Sequence, residues 1–585
     1  MIKLLRHLTG REWLLIFICL IFVVIQVWLS LKLPDYMAEI TRLVQTKSNA
    51  LNEILHAGGM MMLCTLAIFG ITFITGYLVA ITSSGLAMRL RRRVFEKTVS
   101  FSMAGISHFS TASLITRSTN DITQIQMFFM MALKIGIRAP IMAVWAAFKM
   151  YDHGWEWAAI TGIFVVVLLM MIGTIYALAI PKFTIIQKLT DNLNRVTREN
   201  LSGIRVVHAY NAEKYQERKF GRANDKLTRT SLFTHRLMSI ADPGVQFLMM
   251  GLILAIYLVG AYMINAAPTP DRIGLFSDMI VFSSYATQVI ASFIILTMIL
   301  LFMTRATVSA RRINAVLDTD CDIIDGNINK SMRRTGGTIE FRNVSFRYPD
   351  AIGDALHDIT FTARPGETVA IIGATGSGKS TLINLVPRFY DVTSGAVLVD
   401  GIDVRDYTQR ALRNKLGYAS QRAIMFRGTV SSNVAYGDNG RRRATRAQIR
   451  RAVKIAQASN FVEKMDGQYN AMIAQGGTNL SGGQKQRLSI ARAVCRAPEI
   501  YIFDDSFSAL DYKTDHALRT ELRRQTGGAT TLIVAQRVGT IMNADQILVL
   551  DNGRIVGRGT HDELMKNCPI YIEIAKSQLG RDGGK

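Results

Sequence analysis

The chain has 585 residues, 49% of them hydrophobic and 19% charged, which is too long for one domain and too apolar for a wholly soluble protein. Its formal net charge of +24 invites a nucleic-acid partner, but basic residues flanking apolar spans give the same excess under the positive-inside rule, and no nucleic-acid partner is expected. Five cysteines, Cys19, Cys64, Cys321, Cys495 and Cys568, are scattered, odd in number and without metal-ligand spacing, so neither a disulfide framework nor a zinc centre is implied.

After a start containing Lys3, Arg6 and Arg11, the stretch from Trp13 to Leu31 is uncharged and almost wholly apolar. A signal peptide looks similar, but this run is as long as a bilayer span, lacks a small-x-small cleavage site and is followed by further spans. It reads as a retained first helix. Five more apolar stretches, at 59–82, 127–147, 157–180, 245–266 and 280–303, make six spans. Arg89, Arg91, Arg92 and Arg93 follow the second, Lys182 and Lys188 the fourth, and Arg305, Arg311 and Arg312 the sixth. These flanks, the N-terminus and everything after Arg312 are therefore expected to be cytoplasmic. With no targeting segment read, a multi-pass protein of the cell membrane with both termini inside is expected. Trp13, Trp28, Trp155 and Trp157 fall near span ends, where interface anchors belong. Between spans two and three, and again between four and five, roughly 45–65 residues of mixed charge predict helical excursions into the cytoplasm, at about 1.5 Å per residue.

Lys134 and Arg138 fall within the third span, where a charge facing lipid is costly. Two readings stand: the pair lies near the inner leaflet and snorkels or lines a wet interior, or it contacts substrate. Met249–Met250 and Met298–Met303 leave a similar choice between helix packing and an adaptable pocket.

Composition turns polar, with Asn, Asp and Gly, over 318–337. This divides the chain into a transmembrane domain at 1–317 with six helices and two long intracellular loops, a linker at 318–337 and a soluble domain at 338–585. Thr338–Pro349 alternates as a half-exposed strand, and Val369–Gly373 is a short buried one. The latter runs into G-A-T-G-S-G-K-S, Gly373 to Ser380, followed by the helical start T-L-I-N-L-V. Strand, loop and helix together match G-x-x-x-x-G-K-[ST] in its proper context. Backbone N–H groups of such a loop wrap phosphates, Lys379 brings a point charge to the β and γ oxygens, and the Ser380 hydroxyl can ligate Mg²⁺. We assign Gly373, Thr375, Gly376, Ser377, Gly378, Lys379, Ser380 and Thr381 to nucleotide binding.

Further on, L-S-G-G-Q-K-Q-R, Leu480 to Arg487, is a glycine-rich turn opening a helix. Free N–H groups and the helix dipole make Ser481, Gly482, Gly483 and Gln484 an anion site. In Y-I-F-D-D-S-F-S-A-L-D, Tyr501 to Asp511, an apolar strand delivers Asp504 and Asp505 to a phosphate-and-metal site, with Asp504 the natural Mg²⁺ partner. Arg441, Arg442, Arg443 and Arg446 read as a solvated or membrane-proximal surface.

In combination these motifs resemble the ATP-binding-cassette (ABC) transporters over nearly the full length, and the six-span half resembles exporter half-transporters. The fold this implies is an α-helical membrane domain of the type I exporter kind plus an α/β P-loop nucleotide-binding domain. By family pattern Tyr348 is similar to the aromatic that stacks on adenine. Gln421 is similar to the glutamine that senses Mg²⁺ and the membrane domain, and Asp511 in S-A-L-D to the turn that carries information between two sites. S-T-N-D at 118–121 and the stretch at 201–213 match more weakly; the second resembles an intracellular loop with a short coupling helix near Ala209–Lys214. The resemblance implies ATP and Mg²⁺ as cofactors, two cassettes closing face to face, and a partner chain completing a twelve-helix pathway in the lipid bilayer. Small amphipathic substrates are implied, drugs first, with lipids and peptides as alternatives.

Departures from the pattern sharpen the expectation. Asp505 stands where the family usually places a glutamate that polarises the attacking water, and Gln536 where it has a histidine contacting the γ-phosphate; Gln475 replaces a glutamate found in many exporters. A water displaced by about 1 Å can cost on the order of 100-fold in rate, and glutamine cannot carry the charge of an imidazolium. The signature is intact. A heterodimer is therefore expected, in which Lys379, Asp505 and Gln536 form a degenerate catalytic site with the partner's signature. Ser481 and Gly483 would complete the competent site of a non-identical half-transporter carrying a catalytic glutamate. A slow homodimer exporting lipid or peptide, and an ATP-gated regulator or channel, are the alternatives.

Overall fold

The computed structural model describes residues 2–46, 51–153, 155–268, 271–320, 322–329, 336–349, 351–440 and 442–579. Cys321, Arg441 and the 330–335 part of the expected linker lie outside the described residues. Two compact units form, one from Met1–Thr98 with Ala112–Asp318, the other from Val99–Thr111 with Thr319–Lys585.

In the first unit six helical segments are long and apolar enough to cross a membrane: Gly10–Gln45, Leu51–Val99, Thr111–Met150, Trp155–Ser202, Glu213–Ala266 and Arg272–Leu317. Each expected span lies inside one of them. Most are more than twice the roughly 20 residues that a bilayer requires. The expected intracellular excursions are thus continuations of the membrane helices, whose charged turns, such as Arg89 to Arg93, extend beyond the apolar stretch. Short helices lie between them in the chain, Met103–His108, which belongs to the second unit, in the first loop and Ile204–Ala209 in the second. The second departs from the expected position at Ala209–Lys214: Gly203 opens the turn, Asn211 takes a left-handed φ of 51°, and the next long helix begins at Glu213.

Among the described residues the two buried carboxylates of this unit are paired, as desolvation requires. Glu12 meets Arg89, and Asp121, 6% exposed, accepts from Ser309 at 2.9 Å with Arg312 at 3.9 Å. Trp13, Trp28 and Trp155 are exposed as interface anchors should be, but Trp157 is not an anchor. It is 1% exposed and stacks on Phe282 at 5.2 Å, over the space left by Gly260.

The second unit contains two main sheets. Chain order gives β1 (Ile339–Phe346), β2 (Leu356–Ala363), β3 (Thr368–Gly373), β4 (Ser394–Val399), β5 (Ile402–Asp403) and β6 (Leu416–Ala419). After the short pair β7 (Gly428–Thr429) and β8 (Met472–Ile473) come β9 (Ile500–Asp504), β10 (Thr530–Val534), β11 (Gln546–Asp551) and β12 (Arg554–Gly559). An antiparallel sheet runs β2-β1-β4-β5, and a second runs β12-β11-β3-β10-β9-β6, parallel except for β12. β3, β9, β10 and β11 are near-continuous apolar runs because helices and the first sheet cover both their faces. Their carboxyl ends converge on one edge, where open α/β sheets place ligands.

Candidate nucleotide-binding site

The buried strand β3 ends at Gly373, where a Cβ would collide with the Leu550 carbonyl, so the chain must leave the sheet without a side chain. It turns at Gly378 with φ +98°, a region that favours glycine, into the helix Lys379–Leu385. The Lys379 ammonium lies along the loop and donates to the carbonyls of Gly373 at 2.9 Å and Ala374 at 2.7 Å. Burial pushes its pKa down, against the opposing pull of Asp505 and Asp504.

Beside β3, β10 pairs in parallel with β9 and brings Val534 opposite Asp504. Asp504 accepts from the Ser380 hydroxyl at 2.9 Å. A hydroxyl and a carboxylate oxygen held together are the donors that Mg²⁺ takes, so these residues fit the ion. Asp505 sits in the left-handed region at φ +47°, its N–H donating to the Val534 carbonyl at 3.0 Å and its carbonyl accepting from Ser508 Oγ at 3.0 Å. Its Oδ2 accepts from Gln536 Nε2 at 2.7 Å and from Gln421 Nε2 at 3.4 Å. Gln421 thus reaches the Ser380–Asp504 pair only through Asp505. Both aspartates are 6% exposed, and burial pushes both carboxyls above the usual range.

Tyr348 donates or accepts at Thr381 Oγ1 at 3.0 Å and packs edge-on against Phe346 and Tyr390. Ser481 caps the helix Gly482–Cys495 in a reciprocal box with Gln484. Those two bonds satisfy the Ser481 and Gln484 N–H groups and leave Gly482 and Gly483 as the helix's free donors. Among the described residues no hydrogen bond joins this helix start to Lys379, Asp504 or Asp505. Asp511 caps the helix Tyr512–Thr526 through the Thr514 N–H at 2.9 Å, and Gln475 opens a single 3₁₀ turn ahead of the signature.

Comparison with known proteins places this arrangement. The ABC transporter family matches residues 356–508, and the ABC transporter transmembrane region matches 16–293. An uncharacterized ABC transporter ATP-binding protein of Mycobacterium tuberculosis is 38% identical, covering 94% of this chain and 93% of its own length. The chain belongs to the ABC transporters. Another relative, an ATP-dependent lipid A-core flippase of Syntrophus aciditrophicus, is 32% identical over 88% of this chain and 84% of its own. The structure of a bacterial Atm1-family ABC exporter with ATP bound superposes with a TM-score of 0.81 over 98% of this chain and 100% of that one. At 22% identity that likeness is one of fold, the type I exporter layout of six helices and an α/β cassette. As a multi-pass ABC transporter with the layout of an exporter half-transporter, the chain couples ATP hydrolysis to transport.

Three contributors to this cassette escaped the sequence reading. Ser508 fixes the Asp505 carbonyl, Tyr390 backs Tyr348, and Gln486, 7% exposed, accepts from the Ala509 N–H at 3.2 Å. The last ties the signature helix to the S-A-L-D turn. Its signal was there, a glutamine on the buried face of the helix that follows L-S-G-G-Q.

Proposed function

We propose that this ABC transporter exports small amphipathic molecules, drugs first, as one half of a heterodimer in the cell membrane, with both termini cytoplasmic and its own ATP site the slow one. The observation that carries the reading is the Asp505 carboxylate. It is a methylene shorter than glutamate, and two amide donors engage the same oxygen. A base so held has less reach and fewer free lone pairs for a water, and Gln536 brings no positive charge to a γ-phosphate. The signature helix retains its two free N–H donors, which suits it to a partner's ATP.

In this reading Gly373, Thr375, Gly376, Ser377, Gly378 and Thr381 line the phosphates with Lys379, and Tyr348 faces the base. Ser380 and Asp504 hold Mg²⁺, Gln421 reports on it, and Ser481, Gly482, Gly483 and Gln484 serve the other site with Asp511 at the join. Bound Mg²⁺ supplies charge neutralisation at the β and γ oxygens. Cassette closure biases the membrane helices from inward-open to outward-open.

The complex purified from membranes tests the assignment. Asp505→Asn should leave ATP turnover within about twofold, and Glu→Gln at the partner's equivalent position should lower it by on the order of 100-fold. Turnover lost in the first variant and kept in the second would sink the asymmetry. The restoring pair Asp505→Glu with Gln536→His should raise hydrolysis at this site. The lipid A-core flippase among the relatives favours a second reading, a homodimer exporting an amphipathic lipid; purification without any second cassette chain would select it.

A further inference from the structure

The chain at Ala132–Gly136 leaves the α-helical repeat for a single π turn, a feature that recurs at functional sites. Lys134 lies on that turn, and Arg138 opens the next helix. Both line a half-open cavity of about 510 Å³ to which four membrane segments of the first unit contribute, a volume suited to a small molecule. Among the described residues neither cation has an ion-pair partner, and no carboxylate lines the cavity. The Asp35 carboxylate, on the first of these helices, is engaged by Tyr285 and Lys149.

Two further polar groups line the same space with nothing to bind. Among the described residues the hydroxyl of Thr75, 3% exposed, and the buried Oε1 of Gln288 have no partner, and of the two only the hydroxyl can donate to an anion. Unpaired positive charge in a membrane domain is costly, and so is an unpaired buried hydroxyl; one anion would answer both. Met142 and Ile295 give the cavity an apolar wall beside the cations.

We propose that this cavity binds the anionic headgroup, carboxylate or phosphate, of an amphipathic molecule, with Lys134 and Arg138 as the charge-selecting residues and Thr75 as a hydrogen-bond donor. The inference rests on the export reading only for what the bound molecule is for. A transported substrate of this chain is then an acidic amphiphile.

Binding is measured on the full chain, with any subunit that co-purifies, in phosphatidylcholine nanodiscs without ATP. The readout is tryptophan fluorescence, all five tryptophans lying in the membrane half. Dodecyl phosphate and laurate should bind at least about tenfold tighter than dodecyltrimethylammonium or dodecyl maltoside. Lys134→Gln with Arg138→Gln should shrink that gap to about threefold or less, and Lys134→Arg should preserve it. Should the double variant not fold, Lys134→Gln alone, whose side chain is exposed, should still reduce the gap by about threefold. Charge-blind binding by the natural chain, or a preference that survives in the glutamine variants, would overturn the site. Inorganic phosphate binding as tightly as dodecyl phosphate would overturn its amphipathic character. Loss of ATP-driven export with the anion preference intact would sink the export reading alone, since this binding needs no nucleotide.

Discussion

At Gly378 two constraints coincide, a left-handed φ of +98° and a crowded Cβ position, 2.9 Å from Leu356 Cδ2 and 3.0 Å from the Ala355 carbonyl. Gly378→Ala must either shift the loop or strain it by roughly 1–3 kcal/mol. If the loop's N–H groups cradle the phosphates as proposed, nucleotide affinity should fall by about tenfold or more, as read by displacement of a fluorescent ATP analogue; unchanged affinity would show that the loop adapts. The strand, turn and helix around Gly378 were legible in the sequence because they are local, eight consecutive positions set by spacing. The bond from Gln536 to Asp505 was not legible. Thirty-one positions separate the two residues, and only the parallel pairing of β9 with β10 brings the strand ends together. The sequence could say that both residues depart from the family pattern, but not that one departure is bonded to the other.

At the scale of elements, the signature helix shows how stability and function can be separated. Ser481 caps it, at the end where the proposed anion site lies. Aspartate caps as well as serine does, so Ser481→Asp should hold the cassette's melting temperature, whereas Ser481→Ala should cost about 1 kcal/mol. The carboxylate would nevertheless occupy the anion site and repel the partner's γ-phosphate, and ATP turnover of the complex should collapse in the aspartate variant alone. Equal turnover in both variants would refute a role for this helix end in ATP binding. Just ahead of β6, Lys415 is buried between Asp400 at 2.7 Å and Glu499 at 2.8 Å. Burial alone would lower its pKa, but the two carboxylate bonds prevail and raise it above the ordinary 10.5. Its stabilisation is therefore complete at neutral pH and is lost only as pH rises through the raised value. Lys415→Met leaves two carboxylates unpaired and should cost about 3–5 kcal/mol in denaturant unfolding followed by circular dichroism. A smaller loss would mean that water reaches the pair. Element boundaries were less legible than element identities. Apolar spans announce themselves by hydropathy, but their charged continuations do not, so the helices prove about twice as long as the spans inside them. Trp157 was misplaced because a tryptophan near a span end reads as an anchor, and the ring of Phe282 that buries it comes from a helix more than a hundred residues away.

For the whole molecule, the question that composition raised first is which side of the membrane each end occupies. The net charge of +24 is concentrated beyond the apolar stretches of the long helices and throughout the second unit. Translocating such segments would carry arginine clusters such as Arg89 to Arg93 across a hydrocarbon core, which insertion disfavours by roughly 2.5–3.5 kcal/mol per residue at the helix centre. The connection after Ala266, by contrast, follows a helix that is apolar to its end. Single cysteines can decide the matter once Cys321 and the half-buried Cys495 are replaced by serine, because Cys19, Cys64 and Cys568 are buried. Asn265→Cys should react with a membrane-impermeant maleimide in intact cells. Glu217→Cys, on the charged helix Glu213–Ser239, should react only after permeabilisation. The reverse pattern would invert the topology and move the phosphate loop away from cytoplasmic ATP, so this labelling tests the ATP-driven reading together with the orientation of the chain.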